Sequence, residues 1–150
     1  MIKKMKQLLK NNKGFTLVEL LAVIVILGII AAIAVPSIGN IIDNSKKDAH
    51  VANARQLIEA ARLKVASEGI NITTTATELQ MTDLVSQGYL ESAPKDPTGT
   101  GSYTAGEVYV QKNATGIIEY SVWLDGANHD IGSDGTGVKA ADLDRTDVTG

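Results

Sequence analysis

The first residue with notable chemistry is a carboxylate inside an apolar run. Glu19 is the one charged residue between Phe15 and Ile42, where the sequence reads FTLVELLAVIVILGIIAAIAVPSIGNII. A helix of roughly 20 apolar residues spans a bilayer, so this segment is long enough to cross one. A carboxylate at the centre of such a helix costs roughly 3 kcal/mol, so a partner cation is expected for Glu19.

The charges on either side of the apolar run predict its orientation. Residues 1–14 hold five lysines and no acid, whereas residues 43–150 hold nine basic and sixteen acidic residues. Loops rich in Lys and Arg stay in the cytoplasm, so we expect a cytoplasmic N-terminus and an acidic outer part. No direct nucleic-acid site is expected in that part, because phosphate binding requires clustered Lys and Arg.

Two simpler interpretations of the apolar run stay open at this point. It could be a secretory signal peptide, with Ala32-Ile33-Ala34 as the cleavage site, or a plain membrane anchor. A charged Glu19 within the apolar region weighs against the signal peptide. A membrane-embedded carboxylate is by default a functional residue, which weighs against the plain anchor.

The stretch from Lys10 to Pro36 resembles the N-terminal motif of type IV prepilins and pseudopilins. It has a short lysine-rich leader, then Gly-Phe-Thr-Leu-Val-Glu-Leu, a long apolar run and a proline. The resemblance implies that a membrane peptidase cuts after Gly14 and methylates the new N-terminus at Phe15. It also implies that Glu19 helps to set subunit register. For Pro36, an ordinary transmembrane kink and a role in filament packing both stay open.

Elementary electrostatics supports a pairing between the new terminus and Glu19. Cleavage creates an ammonium at Phe15, which the dipole of the helix opposes. Glu19 lies four residues on, on the same helix face, so its carboxylate can offset that charge. The partner could be its own Phe15 or that of a neighbouring copy, and the resemblance implies the neighbour.

The remaining sequence predicts an amphipathic helix followed by a small sheet. Alanines and Gln56 recur every three or four residues up to Gly69, and larger apolar residues broaden that stripe: Ala49, Ala52, Gln56, Ala60, Val51, Ala54, Leu57, Ile58, Ala61 and Val65. Residues 78–88 are predicted as a short helix. Two alternating segments, 102–112 and 117–125, predict a hairpin joined at 113–116.

These elements give an α+β fold, with a long N-terminal helix packed on a small antiparallel sheet, and this arrangement resembles the pilin fold. The predicted organisation is a leader at 1–14, a transmembrane and polymerisation helix at 15–36, and an extracytoplasmic head at 37–150. The amphipathic half of the long helix, 37–68, belongs to the head. A second similarity, to major pseudopilins, is carried by Leu84, Gly88-Tyr89-Leu90, Pro94 and Asp96-Pro97.

The tail from Asp125 onward is rich in Asp, Gly and Asn. Asp125, Asn128, Asp130 and Asp134 could supply oxygen ligands to Ca²⁺, although their spacing is not that of an EF-hand. Some major pseudopilins bind calcium in this loop, so the resemblance supports the idea. A solvated acidic loop or disordered tail is the preferred prediction, and no cofactor is otherwise expected.

Nothing in the sequence selects an enzymatic site. Cysteine is absent, which excludes a thiol nucleophile and a disulfide. The two histidines, His50 and His129, are expected on the surface, with no catalytic arrangement around them. The chain is therefore predicted not to be an enzyme. A membrane-anchored or secreted binding domain and a small exported hydrolase using carboxylates are the alternatives.

The predicted partners follow from the resemblance. They are copies of this chain and other pilins in a filament, a prepilin peptidase that also methylates, and a membrane assembly platform. The expected location is the cytoplasmic membrane before assembly and an extracellular pilus or the cell surface afterwards. Adhesion or motility, secretion and competence filaments are not distinguished.

Overall fold

The structure, a computed structural model, describes residues 16–150 and divides the chain into two compact units, Met1–Ile41 and Ile42–Gly150. One helix, α1 (Leu17–Glu68, 52 residues), contributes to both. It ends where Gly69 adopts a left-handed φ of 62°. The Ile70 N–H then donates to Val65 O at 3.3 Å, as in a Schellman motif. The predicted end of the long helix at Gly69 is confirmed.

In the second unit, called the head below, α1 buries a narrower stripe than predicted. The buried apolar residues are Val51, Ala54, Leu57, Ile58, Ala60, Ala61 and Val65. The predicted positions Ala52 and Gln56 are exposed. The larger Val, Leu and Ile side chains set the buried face, because they remove more apolar surface from water than alanine does.

The head contains a six-stranded antiparallel sheet. Its strands are β1 (Thr77–Gln80), β2 (Ala105–Lys112), β3 (Ile118–Asp125), β4 (Asp130–Ile131), β5 (Val138–Lys139) and β6 (Val148–Thr149). The order is β1-β2-β3-β4-β6, and β5 pairs with β3. Val108, Val110, Val122 and Leu124 are fully buried in one core with the α1 stripe. The predicted α+β class is confirmed.

The prediction of one helix over 78–88 is wrong in its first part. Thr77–Gln80 forms β1, which pairs with β2, and only Met81–Ser86 forms a helix, α2. Two features explain the difference. Leu79 is 5 % exposed, and the edge of β2 supplies hydrogen-bond partners to the backbone around it. Gly88 closes the element with a φ of 80°, as predicted.

The predicted hairpin between β2 and β3 is confirmed. Its turn is organised by Asn113, whose Oδ1 accepts the N–H groups of Thr115 and Ile117, both at 3.0 Å. Gly116 completes the turn with a φ of 83°, which a side chain would strain.

The tail is ordered, so the expectation of a disordered tail is wrong, whereas most of its residues are exposed, as expected for a solvated acidic loop. Residues 126–150 form β4, β5, a 3₁₀ turn (Arg145–Asp147) and β6. Ile131, Leu143 and Val148 are each 3 % exposed or less. These isolated apolar residues anchor an otherwise polar sequence, which shows why local composition suggested a loop.

Candidate assembly site

A reciprocal pair of side-chain hydrogen bonds closes the N-terminal end of α1. The Thr16 backbone N–H and hydroxyl both donate to Glu19 Oε2, at 2.8 and 2.9 Å. The Glu19 N–H donates in return to Thr16 Oγ1, at 3.2 Å. This is a capping box, in which residues three apart satisfy groups that a helix start leaves unpaired. In a single copy, the Glu19 carboxylate therefore acts as a helix cap.

The Thr-x-x-Glu spacing is the sequence signal that could have identified this role of Thr16. Gly14 and Phe15 lie outside the described residues, so cleavage, methylation and the pairing of Phe15 with Glu19 stay predictions. The cap does not prevent that pairing, because a carboxylate has about four acceptor positions. An incoming ammonium would share Glu19 with Thr16.

Beyond the cap, the first half of α1 has apolar side chains on all faces. Leu17 is 84 % exposed and Ile33 is 70 % exposed. Within residues 16–150, α1 is the one helix long and apolar enough to cross a membrane, by length and composition. An apolar surface of this extent requires lipid or other copies of the chain.

Pro36 lies inside α1, which continues on both sides of it. Proline removes one backbone donor from the helix ladder, and the sequence analysis therefore expected a kink there. Whether Pro36 bends the helix or serves filament packing stays a prediction.

Three of the four predicted calcium ligands have separate side-chain partners. Asp130 Oδ1 accepts the backbone N–H four residues before it, at 3.0 Å, and Asp134 Oδ1 lies 3.3 Å from the Tyr109 hydroxyl. The Asn128 amide donates to a loop carbonyl, whereas for Asp125 the pairing is that of its backbone with Ala105 in the sheet. Among residues 16–150, no three His, Asp or Glu side chains form a group that could hold a metal ion. Calcium binding stays a prediction.

Contacts within the chain hold the tail in place, in a protein without cysteine. The Tyr109 hydroxyl donates to Glu107 Oε2 at 2.6 Å and accepts the Gly135 N–H at 2.7 Å. Burial, followed by the hydrogen bond with Glu107, raises the pKa of Tyr109 well above its usual range. Arg145 also forms two hydrogen bonds with Asp48 on α1, at 2.8 and 2.6 Å.

A buried polar cluster centred on His50 is the largest feature that sequence reasoning missed. His50 is fully buried, with its Nδ1 2.6 Å from the Tyr103 hydroxyl. Its Nε2 lies 3.3 Å from Thr98 Oγ1 and 3.6 Å from Asp96 Oδ1. The expectation of a surface histidine is wrong, because His50 lies four residues before Ala54 and so shares the buried face of α1. That spacing could have identified it.

Asp96 is the charged member of this cluster and is 6 % exposed. Its Oδ1 accepts the N–H and hydroxyl of Thr98, both at 2.7 Å, and its Oδ2 accepts the Ala127 N–H at 2.6 Å. Burial raises the pKa of Asp96, but these bonds and one from Gly99 outweigh it and bring the pKa to about 2. His129 lies beside His50, with ring centroids 5.7 Å apart.

Comparison with known proteins gives one family model and several relatives. Residues 9–35 match the model of the prokaryotic N-terminal methylation motif. A fimbrial protein of Pseudomonas aeruginosa is 32 % identical over 111 residues, which are 74 % of this chain and 67 % of that protein. Type II secretion system core protein G of Vibrio cholerae is 30 % identical over 138 residues, or 86 % of this chain and 90 % of that protein. No solved structure matches the chain significantly.

Proposed function

The chain belongs to the type IV pilin and pseudopilin family, and from that membership we propose a pathway for its processing and assembly. It is a structural subunit of a pilus or pseudopilus. In the proposed pathway it enters the membrane with its N-terminus in the cytoplasm, is cut after Gly14 and is methylated at Phe15. It then polymerises, with copies of itself and other pilins, through the first half of α1.

One observation supports this pathway above the others. The first half of α1 is exposed and apolar on every face, and it begins with a carboxylate held by Thr16 at its N-terminal end. A bundle of such helices buries the apolar surface. In that bundle, each Glu19 needs a cation, because a buried unpaired charge is strongly unfavourable. The ammonium of a neighbouring Phe15 has the required charge.

The pathway requires two further partners, a prepilin peptidase with methylase activity and a membrane assembly platform. The test is mass spectrometry of the mature N-terminus. We expect a chain beginning with methylated phenylalanine at position 15. A chain beginning near Val35 would support the signal-peptide interpretation instead.

A matched pair of glycine variants tests the cleavage position. Gly14→Val should block processing, because the peptidase needs a residue without a side chain there. Gly28→Val, inside the apolar run and with open space around it, should be processed normally. Normal processing of both variants would contradict the proposal.

We propose further that the chain is not an enzyme. Tyr103, His50 and Asp96 are ordered like an acid–base relay, but they are 5 %, 0 % and 6 % exposed. No substrate can reach a hydroxyl buried to that degree. The cluster therefore fits a structural role in the head.

The two kinds of relative favour a pseudopilus over a surface pilus. The similarity to core protein G covers 90 % of that protein, whereas the similarity to the fimbrial protein covers 67 % of it. The match to core protein G also covers more of this chain, 86 % against 74 %. Deletion of the gene, followed by assays of protein secretion and of surface filaments, distinguishes the two. Loss of surface filaments with normal secretion would contradict the pseudopilus.

A further inference from the structure

His50 links three separate segments of the head. It lies on α1, and its ring contacts Thr98 and Tyr103 of the 94–104 segment. On another side it faces His129 of the 126–131 segment. The two segments are also joined to each other, since the Ala127 N–H donates to Asp96. His50 therefore contacts both segments from the helix, and Asn53 of α1 adds a hydrogen bond to Lys95 O of the first segment at 2.9 Å.

Counting donors fixes the tautomer of the neutral ring. The Thr98 hydroxyl donates its hydrogen to Asp96 Oδ1 at 2.7 Å, so toward His50 Nε2 it can only accept. Nε2 therefore carries the hydrogen. In a neutral imidazole, Nδ1 is then an acceptor, and the Tyr103 hydroxyl donates to it at 2.6 Å. The cluster is complete only when His50 is neutral.

A second proton on His50 breaks this arrangement at Tyr103. An Nδ1–H would point at the Tyr103 oxygen, which already accepts from the Asn53 amide at 3.3 Å. The Tyr103 hydrogen would then lose its acceptor inside a region where Tyr103 is 5 % exposed. A buried donor without a partner costs about 1–3 kcal/mol in general.

The charged groups around His50 do not compensate for that loss. Asp96 and Asp130 favour a cation, whereas His129 opposes one. Asp96 already accepts hydrogen bonds from Thr98 and Ala127, so its charge is largely satisfied. Burial lowers the pKa of His50, and this effect together with that of His129 exceeds the opposing effect of Asp96 and Asp130.

We propose that His50 is a proton-sensitive latch of the head. In its neutral form it holds the 94–104 and 126–131 segments against α1, and protonation in acid releases them. The latch goes beyond filament assembly and rests on contacts within the head alone. It would make the surface formed by these segments respond to the acidity outside the cell.

The direction of the effect follows from linkage. Released His50 takes up a proton below a pH of about 6.5, whereas latched His50 stays neutral to lower pH. Acid therefore favours the released state, and the opening equilibrium rises up to about tenfold for each pH unit below that value.

Hydrogen exchange of the full-length chain in detergent, read by mass spectrometry, tests the latch. We compare pH 7.5 with pH 5 after correcting for intrinsic exchange rates. Peptides from 94–104 and 126–131 should exchange about tenfold faster at pH 5, while β1 and β2, which do not pair with β4, should not change. Equal protection at the two pH values would overturn the proposal.

Two glutamine variants assign the effect to one ring. His50→Gln keeps an acceptor and a donor but cannot titrate, so it should remove the pH dependence. His129→Gln should keep it. An unchanged pH dependence in His50→Gln would overturn the latch.

A third measurement does not require His50→Gln to fold. The chain has two histidines, so their imidazole resonances are readily followed by NMR during an acid titration. The His50 midpoint should lie below 6.5 and move upward in Tyr103→Phe, because Nδ1 loses its donor. A midpoint that is the same in both proteins would overturn the proposal.

Discussion

The two halves of α1 differ in what covers their apolar side chains. In the first half, up to Ile41, the large side chains are exposed. In the second half, Leu57 and Ala61 are fully buried against the sheet of the head. The first half therefore depends on lipid or other copies, and the second on its own chain. Substitutions in the first half should change assembly, and those in the second should change folding.

The largest expected effect tests the dependence of the first half on other copies. Glu19→Val should be cleaved normally but should abolish filament formation, because the ammonium at Phe15 loses its partner. Glu19→Gln is the matched control, since glutamine can also accept in a capping box but carries no charge. We expect Glu19→Gln to fail as well. Electron microscopy of filaments from cells without the wild-type copy provides the measurement. Normal filaments from Glu19→Gln would assign Glu19 to capping alone.

The next prediction places the same substitution in both halves. Leu57→Ala should destabilise the head by about 2–5 kcal/mol, because it leaves a cavity in the core. Leu27→Ala, at a side chain that is 57 % exposed, should leave head stability unchanged. Thermal melts of the full-length chain in detergent, followed through Trp123, measure both. Similar losses from the two variants would contradict the division between the halves.

The sequence predicted the helix of the first half well because one physical feature dominates it. An unbroken apolar run of this length has few structural solutions. The hairpin was predicted for a similar reason, since alternating residues flank the turn at Asn113. In both cases the information lies within a short window of residues.

The failures share a different cause, because they depend on contacts between distant residues. Thr77–Gln80 forms a strand because it pairs with the edge of β2. The tail is ordered because Ile131 and Val148 pack into the core. His50 is buried among residues 46 to 79 positions further along the chain. Only the periodicity of α1 could have indicated its burial, and nothing local could have named its partners.

Low pH should also distinguish the two halves of α1, because it should destabilise the head and leave the first half unaffected. The folded pKa of Asp96 is about 2, whereas an unfolded aspartate has a pKa of about 3.9. This depressed pKa contributes stability above pH 3.9, and the contribution is lost as the pH falls through 2. We expect a loss of about 2 kcal/mol from the head across that window. This loss occurs at lower pH than the release of the His50 latch.

Asp96→Asn provides the control for the acid prediction. The variant should be less stable at pH 7 and should lack the loss between pH 4 and 2, as measured by melts at each pH. Membrane insertion of the first half should be unaffected. A wild-type head that keeps its full stability at pH 2 would show that the bonds to Asp96 contribute nothing.

The smallest expected effect concerns calcium, which would add an ionic contact to a head already held by its own residues. Asp130 and Asp134 do not belong to a metal-holding group among the described residues, so the loop would have to rearrange before both could bind one ion. This rearrangement weakens binding. We expect calcium at about tenfold its Kd to stabilise the head by about 1.4 kcal/mol. Mg²⁺ should substitute poorly, because it demands a tighter octahedron.

Melts of the full-length chain with Ca²⁺, Mg²⁺ or chelator measure this effect. Asp134→Asn should remove the calcium-specific rise, whereas Asp142→Asn, at an exposed aspartate outside the set, should keep it. Coincident melts in all three conditions would contradict a calcium site. In that case Tyr109 and the Arg145–Asp48 pair would be sufficient to hold the tail. The predicted set supplies only four of the six to eight oxygens that Ca²⁺ takes, so the loss of one ligand should weaken binding there. A rise that persists in Asp134→Asn would therefore place the ion elsewhere in the head.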